Sequence, residues 1–149
     1  MNNKYKKLKS LPDFINTFIR DNNYTRYLEL GLHNAATYNR VECEHKISVD
    51  DGTYADMFSE ELPPPTYNCT TDEFFSNLVL PEKGRFDIVF IDACHERDFV
   101  LRDIYNSLRC LSEDGLIITH DTLPQSLDDI KPGAQWTAYE AILYLRLRG

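Results

Sequence analysis

The sequence predicts an α/β fold, an open and mostly parallel sheet of about five strands with helices on both faces. Three observations point to it. Short apolar stretches with strand character alternate with stretches of helical periodicity, which implies parallel strands joined by helical crossovers. The strongest of them, Phe86-Asp-Ile-Val-Phe-Ile91, is apolar almost throughout, as suits a strand covered on both faces. Glycine or polar residues then follow the apolar runs at Gly31, Asp50, Thr71-Asp72, Asp92 and His120-Asp121. A parallel sheet presents its ligand outside these carboxyl ends.

Each element has a local reason. Ser10-Leu-Pro-Asp13 reads as a helix start, with proline near the first helical position and an acid in the first turn. Leu11, Phe14, Ile15, Phe18 and Ile19 give that helix one apolar face. Tyr27–Leu30 is a short strand ending at Gly31, and Lys46–Val49 a second ending at Asp50-Asp51. The stretch from Asp51 to Pro65 is loop-like and closes on three prolines. Thr66–Asn68 is a brief third strand, and Thr71 is the expected N-cap of a helix through about Leu78. After the strand 86–91, Phe99, Val100, Ile104, Leu108 and Leu111 mark a helix that Ser112-Glu-Asp-Gly115 should break. Leu116–Thr119 is the fifth strand, and Thr137 to about Leu147 the last helix.

At 149 residues the chain has room for one domain, an N-terminal helical part over 1–24 and a core over 25–149. Its net charge of −8 speaks against a nucleic-acid surface, and its basic cluster Lys4, Lys6, Lys7 and Lys9 reads as a solvated end. No stretch has the length and apolarity of a bilayer span, so no membrane is expected. The four cysteines, Cys43, Cys69, Cys94 and Cys110, form no Cys-x-x-Cys pair, which fits reduced thiols and a cytoplasmic location. Cys43-Glu-His45 lacks the further ligands of a closed zinc site and is read as structural.

Tyr27-Leu-Glu-Leu-Gly31, Ile47-Ser-Val-Asp50, Thr71-Asp-Glu-Phe-Phe75, Phe86–Asp92 with His95-Glu96, and Ile118-Thr-His-Asp121 together resemble the class I S-adenosylmethionine-dependent methyltransferases. The resemblance is to the small-domain O-methyltransferases of the macrocin O-methyltransferase-like group, and it covers about Tyr27 to Arg146. It implies a Rossmann-like sheet; class I enzymes normally continue into a terminal antiparallel strand pair that is lacking here, which leaves a minimal version, a truncated chain or a sheet edge completed by another chain, as in a homodimer. It also implies a set of cofactor-binding residues. Glu29 and Gly31 would form the first-strand loop against the methionine portion, and Asp50 would accept from the ribose hydroxyls. Thr71 and Asp72 would lie beside the adenine, and Asp92 close to the sulfonium and the acceptor. The glycine-rich run is reduced here to Gly31-Leu-His-Asn-Ala-Ala36, which keeps one glycine.

No Asn-Pro-Pro-Tyr type signature follows the fourth strand, so a hydroxyl acceptor is favoured over a nucleobase amine. Metal-assisted O-methyltransferases of similar layout place one acid after the fourth strand and another, with a polar neighbour, after the fifth. Asp92, Asp121 and Thr122 match those positions, and His95 matches the base that follows. His95 and Asp92 are therefore the catalytic candidates, since imidazole can withdraw a hydroxyl proton near neutral pH. Asp92 and Asp121 are the candidate ligands of Mg²⁺, which suits carboxylates and waters. Each residue also has an ordinary alternative. Asp92 and Asp121 serve equally as solvated or capping acids, His95 as a plain first-turn residue, and His120 as a locally bonded one. Trp136 and Tyr139 either line an acceptor pocket or pack against the sheet.

The function this implies is S-adenosylmethionine-dependent O-methylation of a small hydroxylated acceptor such as a sugar or glycan precursor. The alternative is a non-catalytic binding or assembly module on the same fold. A nicotinamide dinucleotide enzyme ranks last, because the second and third glycines of Gly-x-Gly-x-x-Gly are missing.

Overall fold

A computed structural model describes residues 10–53, 64–77, 86–131 and 136–148. The basic cluster at Lys4–Lys9 and most of the loop from Asp51 to Pro65 lie outside them, as does Leu78. The first helix, α1 (Leu11–Asn22), starts as its sequence predicts. Ser10 is extended and its hydroxyl accepts the Asp13 N–H, and Pro12 sits in the first turn where no intrahelical N–H is needed. Asn23 ends the helix in the left-handed region (φ 55°), a conformation asparagine tolerates.

The sheet contains β1 (Arg26–Leu30), β2 (His45–Asp50), β3 (Tyr67–Asn68), β4 (Phe86–Ile91) and β5 (Leu111–Thr119). Its order is β3-β2-β1-β4-β5 and every pairing is parallel. The chain builds outward from β1 on one side and from β4 on the other, so the switch point lies between the ends of β1 and β4. Alternation along the strands sorts the core into two layers. Leu28, Leu30, Val49, Val89 and Ile91 face α2 (Thr71–Asn77), α3 (Arg97–Cys110) and α4 (Ala138–Arg148), meeting Phe74, Val100, Ile104 and Ala141. Tyr27, Ile88 and Phe90 face the other way, onto Ile15 and Ile19 of α1. Each fully buried aliphatic side chain of this kind contributes about 1.5–3 kcal/mol.

Two expectations need correction. Thr70, not Thr71, caps α2: its hydroxyl accepts the Glu73 N–H while the Glu73 carboxylate accepts from the Thr70 N–H and hydroxyl. That reciprocal pair is a capping box, and Thr70-x-x-Glu73 carries its signature. Second, α3 ends at Cys110 and Leu111 already belongs to β5, while Phe99 and Leu108 are exposed. Phe86 pairs with Leu111 and Ile88 with Leu116, so the Ser112–Gly115 cluster breaks the register of the strand instead of terminating the helix. The chain between β1 and β2 holds only a 3₁₀ turn at Tyr38–Arg40, and the α1 side of the sheet is covered chiefly by α1 itself.

At the amino end of β4, Asp87 ties that strand to the start of β1. One carboxylate oxygen accepts the Thr25 and Arg26 N–H groups at 3.0 and 3.1 Å, and the other accepts Arg26 Nη2 at 2.8 Å. Burial pushes this carboxyl upward, but the Arg26 guanidinium and the Thr25 N–H outweigh it and hold the group at about 2. A carboxyl depressed in the folded state stabilises the fold fully above its unfolded value near pH ~4, and that contribution fades as pH falls toward ~2. Asp87→Asn is expected to cost about 1–3 kcal/mol near neutrality. In urea titrations across pH it should also flatten the acid limb between those values, and an unchanged acid limb would count against the assignment.

Candidate active site

The residue that follows each strand is still held by the ladder. Gly31 N–H donates to Val49 O, Asp92 N–H to Leu30 O, and His120 N–H to Ile91 O, at 2.8–2.9 Å. Leu30, Val49 and Ile91 point into the layer under α2, α3 and α4. By alternation, Gly31, Asp50, Asp92 and His120 emerge on the opposite, α1 side of the sheet. Four of the five strand-end positions marked in the sequence thus share one rim, centred on the switch point.

Gly31 lies at the centre of that rim. It has φ +86°, and a Cβ there would stand 2.2 Å from Asp92 O and 2.6 Å from Ala93 Cα. The Cβ direction of Gly31 is therefore closed by the chain's own β4 end. The loop continues with His33 at φ 47° and Ala35 at φ 57°, so two residues adopt the left-handed conformation that glycine usually supplies. This curl aims the Leu32 and His33 N–H groups at Asp50 Oδ2, at 2.7 and 3.2 Å, and Gly52 N–H donates to Asp50 Oδ1 at 2.7 Å. A carboxylate has about four acceptor sites, so capacity remains on Asp50 for one further donor.

Asp92 is the hub. Its Oδ1 lies 3.1 Å from His95 Nε2 and 3.1 Å from His120 Nδ1. Burial would push its carboxyl up, but the hydrogen bonds to His120 and His95 outweigh that and hold it below the usual range. An ionised carboxylate can only accept, so both imidazoles donate to it. His95 Nδ1 and His120 Nε2 are left as the outward ring positions. The hydrogen bond to Asp92 raises His120 above the ordinary imidazole value, and Asp121 adds to the effect, its Oδ1 lying 3.4 Å from His120 Nδ1. Asp121 itself is left-handed (φ 49°), which swings its carboxylate back toward the cluster. Ligand atoms of Asp92, His95 and Asp121 all fall within 4.8 Å of one another. The Thr122 hydroxyl is engaged with Thr119 at 3.0 Å.

The remaining candidates lie elsewhere. Glu29 is inside β1, not in the loop after it, and is buried with the Tyr27 hydroxyl donating to its carboxyl. Burial pushes Glu29 up to about 8, so it is a neutral acid beneath the rim near neutral pH. Asp72 is held by Arg102 of α3 through Nε at 3.1 Å and Nη2 at 2.9 Å. Thr71 hydrogen-bonds Asp103, a buried α3 carboxyl pushed up to about 6 mainly by desolvation. Both residues therefore brace α2 against α3. His45 of the Cys43-Glu-His45 run is exposed beside Glu44. His120 is the site residue whose part the sequence did not show. Its signal was position alone, one residue past β5 and level with Asp92.

A family model described as a methyltransferase domain matches residues 17–122, which include the whole rim. The chain belongs to this methyltransferase domain family. Solved structures agree on the fold. The O-methyltransferase TomG from Streptomyces achromogenes, involved in tomaymycin synthesis and solved with S-adenosylmethionine, superposes with a TM-score of 0.65 at 11% identity, over 98% of this chain and 73% of that one. A Podospora anserina methyltransferase, PaMTH1, solved with S-adenosylhomocysteine, does so with a TM-score of 0.55 at 18% identity, over 97% and 67%. No curated protein matches by sequence. In this methyltransferase domain, then, the Asp92 hub sits on the part of the chain that defines the family.

Proposed function

We propose that this methyltransferase domain transfers a methyl group from S-adenosylmethionine to the oxygen of a small hydroxylated acceptor, a sugar or glycan precursor being the class its sequence resemblance implies. The observation that carries the reading is the ionised Asp92 held between two imidazoles at the switch point. S-adenosylmethionine, when bound, supplies an electrophilic methyl on a cationic sulfonium, and the carboxylates of Asp92 and Asp121 give the rim the matching sign. Asp50 keeps acceptor capacity for a ribose hydroxyl. Asp92 orients His95 through Nε2–H, so that Nδ1 can take the acceptor's proton as the new O–C bond forms and the S–C bond breaks. The products are the methyl ether, S-adenosylhomocysteine and an imidazolium that returns its proton to water.

The donor set suits Mg²⁺ poorly. That ion prefers oxygen ligands in octahedral array, whereas the third group beside Asp92 and Asp121 is an imidazole, and Asp92 Oδ1 already accepts two N–H bonds. The proton chemistry is therefore assigned to the imidazoles. The four cysteines are all free, which supports a reducing, cytoplasmic setting. Among the described residues no helix is long and apolar enough to cross a membrane. Among the described residues β5 is an edge strand, and its nine-residue length supports pairing into a homodimer.

Calorimetric titration with S-adenosylhomocysteine tests the reading. Saturable one-to-one binding is expected, and at a ligand concentration a hundredfold above Kd it should stabilise the fold by about 2.7 kcal/mol. Absence of both heat and thermal shift would remove the cofactor from the proposal.

A further inference from the structure

We infer that Thr137 is a positioning residue for His95, fixing it by joining the start of α4 to the start of α3; this rests on the methyl-transfer reading above. His95 stands in a stretch that no regular element supports. Residues 92–96 belong neither to β4, which ends at Ile91, nor to α3, which begins at Arg97. Asp92 is still held by the ladder, through its N–H on Leu30 O, and the first helical bond runs from Val100 N–H to Glu96 O. Between those two points the backbone has to be held by something outside the stretch.

Thr137 holds it twice. Its N–H donates to His95 O at 2.9 Å, and its hydroxyl accepts the Arg97 N–H at 2.9 Å. The second bond falls where α3 lacks a local cap. Glu96 occupies the N-cap position, extended at φ −93° and ψ 140°, and its side chain makes no capping bond. The first N–H groups of a helix have no partner within it, and here a hydroxyl 40 positions away takes the place of a neighbouring one. The two bonds bracket Glu96, one on His95 and one on Arg97. Trp136, the residue before, meets the His95 ring edge-on with centroids 5.3 Å apart, so ring and backbone are braced from the same short stretch.

The direction of the imidazole depends on this. Nε2 has to face Asp92 Oδ1, at 3.1 Å, for Nδ1 to stay the unprotonated nitrogen. Displacing a reacting group by an ångström can cost about a hundredfold, and one side-chain bond to Asp92 leaves the backbone beneath it free to swing. His120 is held differently. It directly follows β5, its N–H donates to Ile91 O, and it reaches the same Oδ1 through Nδ1. The two imidazoles thus carry their protons on opposite nitrogens, and the bonds of Thr137 run to the His95 side.

Nitrogen-15 NMR of the imidazoles in the full chain tests this, at about pH 9, well above the ordinary histidine value. In the unsubstituted chain His95 should show Nε2 protonated and Nδ1 bare, and His120 the reverse. Thr137→Val keeps the shape of the side chain and removes the acceptor. The His95 preference for Nε2–H should then fall about tenfold, the worth of one hydrogen bond, while His120 keeps its pattern; Thr137→Ser should restore His95. Arg97→Pro removes the donor instead, at a first helical position that suits proline and after a residue already extended. It should shift His95 as Thr137→Val does, the two together should add nothing, and it decides the matter alone should Thr137→Val not fold. An unchanged His95, equal shifts at His95 and His120, or additive effects in the double variant would overturn the positioning role and leave methyl transfer standing. No heat with S-adenosylhomocysteine in the unsubstituted chain would end both.

Discussion

Replacing Asp92 with asparagine is expected to lower methyl-transfer turnover by about 10²–10⁴-fold, the usual range for removing one partner of an acid–base group. The amide keeps the shape of the carboxylate, and its backbone N–H still donates to Leu30 O. What goes is the anion that fixes two imidazoles at once: His95 Nε2–H and His120 Nδ1–H would share one neutral carbonyl. His95 would lose its set tautomer, and His120 would fall back toward the ordinary imidazole value, because the bond to Asp92 is what raises it. Thermal stability and S-adenosylhomocysteine affinity should stay near those of the unsubstituted chain, so that the loss falls on the chemical step. Release of S-adenosylhomocysteine under single-turnover conditions measures it. Turnover within about threefold of the unsubstituted chain would take Asp92 out of the proton route.

The second large effect is on folding. Gly31→Ala is expected to cost about 4 kcal/mol or more, the range in which a backbone collision sits. The new methyl would lie 2.2 Å from Asp92 O and 2.5 Å from its carbonyl carbon, and no side-chain rotation relieves a clash with backbone. Relief requires β1 and β4 to separate at their carboxyl ends, which would break the Asp92 N–H to Leu30 O bond and scatter the rim. Gly52→Ala is the internal control. Gly52 also has a left-handed φ of +74°, but among the described residues its added Cβ would meet only the Asn68 side chain at 3.8 Å. Its expected cost is the conformational one, about 1 kcal/mol. Denaturant titration of the two variants compares them directly, and equal losses would mean that β1 and β4 do not approach as closely as described.

Much of the fold was legible along the chain because burial is periodic. Leu28 and Leu30, or Ile88 and Phe90, alternate with the faces of the sheet, and Ile15 and Ile19 repeat with the helix. The errors came where two local signals competed. Thr70 and Thr71 are adjacent, and only the reach of Glu73 back to Thr70 decides which of them caps α2. Leu111 fits the periodicity of α3, yet it is drawn into β5 by pairing with Phe86, a residue 25 positions away that helical spacing does not register.

The site was legible in position more than in partnership. That Asp92 follows a buried strand and His95 stands three residues on can be read directly, and the structure joins them. That Asp72 is spent on Arg102 cannot be read, because the two stand 30 positions apart with β4 between them.

By itself the sequence determined the strand and helix content, the parallel class, the acidic character of the rim and its place just after the strands, since all of these follow from local periodicity and composition. Only the tertiary structure decided that His120 shares Asp92 with His95, that Glu29 lies beneath the rim as a buried acid, and that Gly31 is required by the approach of another strand. Those facts depend on strand order and register, which are set by packing between segments far apart in the chain, and no window of neighbouring residues contains them.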